Sequence, residues 1–445
     1  MSQLLPTVTD MSTMTRTRQT GPPVLDGRAA QPSPRARLVD GRLALLLLAS
    51  FGALTSFYLL LSVTPMFAVS AGAGSAAAGA VTGSLMLATV LAEFASAALM
   101  NRYGYRVVFA AGTLLLGGPA LALLAPRSLG LILAVSIARG LGFGLSTVVV
   151  GALVATAVPL ERRGEGIGLA GVVACVPAVV ALPSGVWLAA STSDAVVIVI
   201  AAAAALAPLA MLPWLAAPAG NQTGNQTGSR AATGEGTPPP GLRASLRSGG
   251  QRRPALIFAA TTVSAGVVAA FLPLASGVSA GTAAAGLFTQ ALTAAAGRWW
   301  AGRYGDRRGS AGPHGHAGLL IPGLFIAAAG MTTLLWVAAP AAVIAGMALF
   351  GIGFGIAQTV TFTLMIDRAP VSGYGTVSAL WNLAYDAGYG AGPALFGVFA
   401  ARTGYPAAFA ITGMLIFAAL LPAARDRAPA RGNPQRAHRG SRRPA

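Results

Sequence analysis

No lysine occurs anywhere in the 445 residues; all 30 basic positions are arginine. The phosphate-cradling loop of a large class of ATPases needs Gly-x-x-x-x-Gly-Lys-Ser/Thr, so this chain is no self-contained pump of that type. Charge of either sign is scarce: 9% of residues are charged, against roughly 25% in a soluble protein. With 55% hydrophobic residues, too little polar surface exists to cover a globule in water, and the solvent that fits is a bilayer. Cysteine is nearly absent. The single thiol, Cys175, forms no internal disulfide, and one thiol makes no metal site. Acidic residues number only 12, which leaves a net charge of +18. Such a balance can signal nucleic acid, but no stacking module or groove-reading motif is present, and no nucleic-acid partner is expected. The arginines instead gather in short segments between apolar runs, as in membrane proteins. The opening residues are polar, without the apolar core of a signal peptide. Residues 1–42 are expected to form a disordered cytoplasmic tail.

What the sequence does have is a series of apolar runs long enough to span, about 20 residues each. They fall at 43–69, 76–100, 107–125, 131–158, 167–190 and 195–217, then at 254–274, 282–300, 317–338, 341–366, 376–400 and 406–421. The fold class expected is an all-α integral membrane protein: 12 transmembrane helices in two pseudo-symmetric six-helix bundles, 43–217 and 254–421. The polar stretch 218–253 reads as a linker, although Asn221-Gln222-Thr223 and Asn225-Gln226-Thr227 match the glycosylation triplet. Residues 422–445 form a basic tail suited to anionic lipid at the inner face. The segments after spans 2, 4, 6, 8 and 10, and both tails, hold nearly all the arginines, which places them and both termini in the cytoplasm of a cell-membrane protein. Labelling Asn221 or Gly315 from outside intact cells would contradict that orientation.

One short stretch occurs twice. Asn101-Arg102-Tyr103-Gly104-Tyr105-Arg106 ends the second run, and Gly302-Arg303-Tyr304-Gly305-Asp306-Arg307 ends the eighth. The separation of about 200 residues is far too long for a solenoid and points to a duplicated half. Gly140-Leu141-Gly142-Phe143-Gly144 in span 4 is echoed by Gly351-Ile352-Gly353-Phe354-Gly355 in span 10, with Pro159 and Pro370 following at the same offset. Small residues at this density let helix backbones approach closely in lipid.

Six helices, a linker, six helices and a basic Arg-x-Gly segment after spans 2 and 8 resemble the major facilitator superfamily. In that family the segment after span 2 reads Gly-x-x-x-Asp-Arg-x-Gly-Arg-Arg/Lys. Arg102, Gly104 and Arg106 fit; Ala97 stands for the first Gly and Asn101 for the Asp. Arg303, Gly305 and Arg307 repeat the pattern, with Gly302 at the Asp position. The resemblance implies that these segments gate the cytoplasmic side, with a weaker latch where Asn101 lacks charge. It implies inverted three-helix repeats within each bundle. Arg139 before Gly140 is similar to the family's fourth-helix Arg-x-x-x-Gly motif, which implies a part in proton coupling. Ala181-Leu182-Pro183-Ser184-Gly185 looks like the Gly-Pro-x-x-Gly segment of exporting antiporters, with Leu182 in place of Gly; Gly390-Ala391-Gly392-Pro393 with Gly397 in span 11 comes closer.

Charged groups inside a bilayer are expensive and therefore candidates for function. Three stand out as proton-coupling residues: Asp386, Glu93 and Arg139. Glu93 reads either as a proton carrier or as the partner of an arginine such as Arg106. Arg139 tunes a nearby acid, binds an anion, or pairs with Glu93. Asp386 lies mid-span; Asn382, Asp386 and Tyr389 share a face by i, i+4, i+7 spacing, with Trp381 and Tyr385 beside it. An acid among amide and aromatic groups suits a cavity for cationic or aromatic molecules. Gln358 and Gln290, with Asn382, Tyr385 and Tyr389, are the candidate cavity lining, although neutral polar groups also bridge helices. His314 and His316 lack a third ligand, so no metal and no cofactor is expected.

These features indicate secondary transport: proton-coupled efflux of a small organic, drug-like or natural-product molecule by alternating access. Uptake of a sugar or other nutrient is the alternative, and a non-transporting membrane sensor the third. No nucleophile–base pair sits in the spans, so an enzyme is not expected.

Overall fold

In lipid every backbone N–H and C=O must be satisfied within its own segment, so a chain this apolar folds as helices. The computed structural model describes residues 41–126, 128–157, 163–214, 245, 247–308, 316–370 and 373–426. Its helices are α1 (Gly41–Leu61), α2 (Val63–Ser70), α3 (Ser75–Gly117), α4 (Leu129–Ala157), α5 (Arg163–Ser191) and α6 (Asp194–Leu206) in the first half. The second half holds α7 (Gly249–Phe271), α8 (Ala280–Arg308), α9 (Leu320–Thr333), α10 (Pro340–Asp367), α11 (Tyr374–Thr403), α12 (Tyr405–Ala418) and α13 (Leu420–Asp426). Short 3₁₀ turns extend α3, α6, α7 and α9. Helix covers the described part of each of the twelve expected spans. Among the described residues, nine helical stretches are long and apolar enough to cross a membrane, and one of them, Ser75–Leu124, is 50 residues long. α8 and α11 are not among the nine; they carry the polar side chains of the cavity described below.

Local chemistry sets the breaks. Pro65 lacks an N–H, and its ring crowds the Leu61 carbonyl, which ends α1 and starts α2. The Thr64 hydroxyl donates to the Leu60 carbonyl at 2.6 Å. Spans 2 and 3 are two helices, as the sequence suggested, but almost no loop separates them: the two parts of α3 meet at a single non-helical residue, Gly104, at φ 79° and ψ 159°. The second copy of the motif is not a loop either. Gly302 to Arg307 form the closing turns of α8, and Gly305 is not among the glycines of positive φ. Only Gly104 therefore needs to be glycine for its conformation. Gly104→Ala is expected to cost about 1–2 kcal/mol, and Gly305→Ala to gain up to about 1 kcal/mol of helix propensity. Thermal unfolding of the two purified variants checks the opposite signs. The linker's glycosylation triplets, Pro159, His314 and both tails lie outside the described residues, as does the side chain of His316.

The halves repeat one packing scheme. α1 packs on α5 as α7 packs on α11; α3 packs on α4 as α8 packs on α10; α9 lies against α10 and α12 as the second part of α3 lies against α4 and α6. Across the halves, α3 meets α11 and α5 meets α8, an exchange-symmetric pair of seams. The two glycine-phenylalanine stretches do the same job in each half. A Cβ at Gly140 or Gly144 would collide with the carbonyls of Leu85 or Thr89 on α3, and one at Gly142 with Leu116 beyond the kink. In the second half, Gly351 and Gly355 press on Gln290 and Ala294 of α8, and Gly353 on Gly323 and Ala327 of α9. Each stretch wedges its helix between two others at backbone contact. The phenylalanines between the glycines, Phe143 and Phe354, both face a common cavity.

Candidate functional site

A cavity of about 540 Å³ lies between the halves, walled by α1, α3, α4 and α5 on one side and α7, α8, α10 and α11 on the other. Its walls run from mid-span toward the ends that carry the arginines, reaching Gly151 late in α4, Ala174 early in α5 and Arg298 late in α8. The opposite end is shut by the α3–α11 seam. There the Pro393 carbonyl leaves no room for a Cβ at Gly79, nor the Ser75 carbonyl for one at Gly397, and the Ser75 hydroxyl donates to the Gly397 carbonyl at 2.8 Å.

α5, α8 and α11 supply five residues each to the wall, and those of α11 are all aromatic or polar. In α11, Trp381, Tyr385 and Tyr389 follow at four-residue intervals and stack as a ladder, with ring centroids 6.2 and 5.5 Å apart. Phe258 of α7 stacks on Trp381 at 4.3 Å from behind, and the Trp381 indole N–H donates to the Thr361 hydroxyl at 3.4 Å. Asn382 and Asp386 share the cavity wall with this ladder. The i, i+4, i+7 face read from the sequence therefore does look into one space.

The two acidic candidates meet. Glu93 of α3 and Asp386 of α11 come from different halves, and their carboxyl groups face each other closely enough for one to hydrogen-bond the other. Asp386 is 8% exposed; Glu93 is half-buried. An ionised carboxylate only accepts, so a hydrogen bond within the pair needs a proton on one of them. Two bare charges 4 Å apart repel by about 4 kcal/mol at an effective dielectric of 20. The pair thus holds or loses a proton as a unit, across the seam that separates the halves. Beside it, Tyr58 of α1 and Tyr385 bring their hydroxyls together across the same divide.

Arg139 is elsewhere. It is 1% exposed and donates through Nε to the Leu116 carbonyl at 3.2 Å and through Nη2 to the Ser56 carbonyl at 2.9 Å. Its Nη1 has no hydrogen-bond partner among the described residues. It does not pair with Glu93 and is not part of the cavity wall; it ties α4 to α1 and α3 through backbone carbonyls. Gln290 and Gln358, 8% and 6% exposed, do line the cavity. Of the basic segments, Asn101, Arg102, Gly104 and Arg106 are exposed around the Gly104 kink of α3, eight or more residues past Glu93, and are not in the cavity wall. The Arg102 guanidinium sits 5.3 Å from the ring centre of Tyr103. At the end of α8, Arg303 lies 5.0 Å from the Trp299 ring, and Arg307 borders the same aromatic patch. No group of three or more His, Cys, Asp or Glu that would hold a metal occurs among the described residues.

Among the polar residues of the cavity wall, Tyr58, Thr147 and Arg298 were not singled out from sequence, and Cys175 was read there only as a lone thiol. Arg298 had a usable signal. It falls inside the eighth apolar run, where the rule that selected Glu93, Arg139 and Asp386 applies equally. Its closeness to the basic motif hid it among the loop arginines.

The Major Facilitator Superfamily model matches residues 46–393 and 319–444. In structure, the chain is similar to the inward-open xylose transporter XylE from E. coli, with a TM-score of 0.65 at 15% identity over 88% of this chain and 97% of that one. It is similar to a D-xylose-proton symporter, with a TM-score of 0.65 at 16% identity over 85% and 96%. A partially occluded inward-open form of XylE gives 0.64 at 17% identity over 86% and 97%. No curated protein matches the sequence. The family model spans well over half of the 445 residues, and solved transporters share the overall fold: the chain belongs to the Major Facilitator Superfamily and is a multi-pass membrane transporter, not an enzyme.

Proposed function

We propose that this chain is a proton-coupled exporter of a small organic molecule. The observation that carries the reading is the Glu93–Asp386 pair, placed in the wall of a cavity of drug-sized volume and formed by one residue from each half. With the arginine-bearing ends in the cytoplasm, the cavity faces inward. Cargo enters from that side, its ring against Trp381, Tyr385 and Tyr389 and its basic group on the ionised pair. The halves then rock about the site: the α3–α11 seam parts, the inner walls close, and the pair faces outward. A proton from outside takes the place of the basic group and releases the cargo. The energy comes from the proton gradient. Arg102 and Arg106, beside the Gly104 kink of α3, and Arg303 and Arg307, at the inner end of α8, are proposed to gate the inner side and to rest on anionic lipid.

The uptake reading has one specific observation in its favour. The amides of Gln290, Gln358 and Asn382 border the same cavity, and such groups suit a hydroxyl-rich molecule; the three similar structures named above transport xylose by their names. Direction separates the readings. Cells expressing the chain are screened for growth against a compound panel, with accumulation measured in parallel. Export predicts resistance with lowered accumulation of the active compounds. Raised accumulation points to uptake, and flux of nothing under any gradient to a sensor.

A further inference from the structure

Arg298 is a cation in the cavity wall for which the coupling scheme has no use. It is exposed, near the inner end of α8, and among the described residues its guanidinium has one hydrogen bond, from Nη1 to the Cys175 sulfur of α5 at 3.8 Å, a soft and weak acceptor. No carboxylate pairs with it among the described residues. A guanidinium stays charged at any relevant pH, and in a site partly shielded from water an unmatched charge is a binding group in waiting. Tyr58 lies within electrostatic reach of both Arg298 and Asp386, so one small cavity holds a fixed cation, a carboxyl pair and an aromatic ladder.

We infer that the cargo is an aromatic zwitterion. Its acidic group pairs with Arg298, its basic group with Glu93 and Asp386, and its ring lies along Trp381, Tyr385 and Tyr389. The inference rests on the coupled-export reading and narrows it. An amine without an acid would bring a second positive charge toward an unmatched guanidinium. An acid without an amine would bring a second negative charge toward the ionised pair. A molecule carrying both charges leaves neither wall group facing its own sign. The arrangement also suits exchange: the proton displaces only the basic group, while the acidic group stays oriented by Arg298. Arg298 offers two parallel N–H groups to a carboxylate, which lysine does not.

The test uses the full chain in proteoliposomes under an imposed pH gradient, with passive leak subtracted from protein-free vesicles. Probes come in matched sets sharing a ring: phenethylamine, 3-phenylpropionate and phenylalanine, and the corresponding indole and quinoline sets. The expected result is uphill movement at least tenfold faster for the doubly charged member of a set than for its amine or acid. Arg298→Gln, folded by thermal unfolding, is expected to move the amine as fast as wild type moves the zwitterion, and Arg298→Lys to keep the original order with weaker preference. Amines moved as fast as zwitterions by the wild type, or an order unchanged by Arg298→Gln, would overturn the zwitterion while leaving coupled export standing. No uphill movement of any probe would count against coupled export itself.

Discussion

Asp386→Asn is expected to abolish gradient-driven accumulation while leaving downhill exchange. In vesicles with a pH difference, uphill flux should fall at least tenfold, and equilibrium exchange of the same compound should fall far less. Glu93→Gln is expected to give the same split, with the smaller loss, because Glu93 is the more exposed member of the pair. The argument is geometric. The two carboxyl groups face each other across the α3–α11 divide, so a proton held between them links the halves, and its departure leaves two like charges in a crevice of low dielectric. An amide keeps the hydrogen bond but cannot exchange the proton. The double variant should resemble the single ones, since residues acting as one unit are not additive. Additive losses would mean two separate proton sites.

Gly140→Leu and Gly355→Leu are expected to lose the folded protein outright or to lower its stability by about 3 kcal/mol or more. Each added side chain meets a backbone carbonyl of the neighbouring helix, Leu85 in one half and Ala294 in the other, and a backbone moves less readily than a side chain. Gly130→Leu is the control: nothing lies within 4 Å of its Cβ position, and a change within about 0.5 kcal/mol is expected. Thermal unfolding in detergent, with the yield of monodisperse protein, reads all three. Equal effects in the two halves would follow from the duplicated packing. An effect in one half alone would mean that the repeat in sequence is not a repeat in structure.

The fold was legible because its causes are local. Apolar length, the arginine spacing and the two glycine stretches each act over one or two helices, and the sequence displays them directly. α8 and α11 were read as apolar runs like the other ten, although neither is among the nine helical stretches that qualify as spans by length and composition. What local reasoning missed was convergence. Nothing in the spacing around Glu93 says that Asp386 lies opposite, because the contact is made by two halves folding onto each other. The same blindness assigned Arg139 a possible carboxylate partner, when its side chain donates instead to two carbonyls, of Ser56 and Leu116. Gly104 and Gly305 occupy matched positions in sequence yet only Gly104 breaks its helix. The motif permits the turn; the rest of the bundle decides whether the chain makes one.

The most direct measurement is proton movement accompanying cargo flux, followed by a pH dye trapped inside proteoliposomes as cargo is driven down its own gradient. The wild type should move protons opposite to cargo. The Glu93→Gln, Asp386→Asn double variant, which also lacks the charge that holds the cargo's basic group, should carry cargo more slowly and with no proton signal per molecule moved. A proton signal of undiminished size from the double variant would contradict the assignment of the coupling proton to this pair.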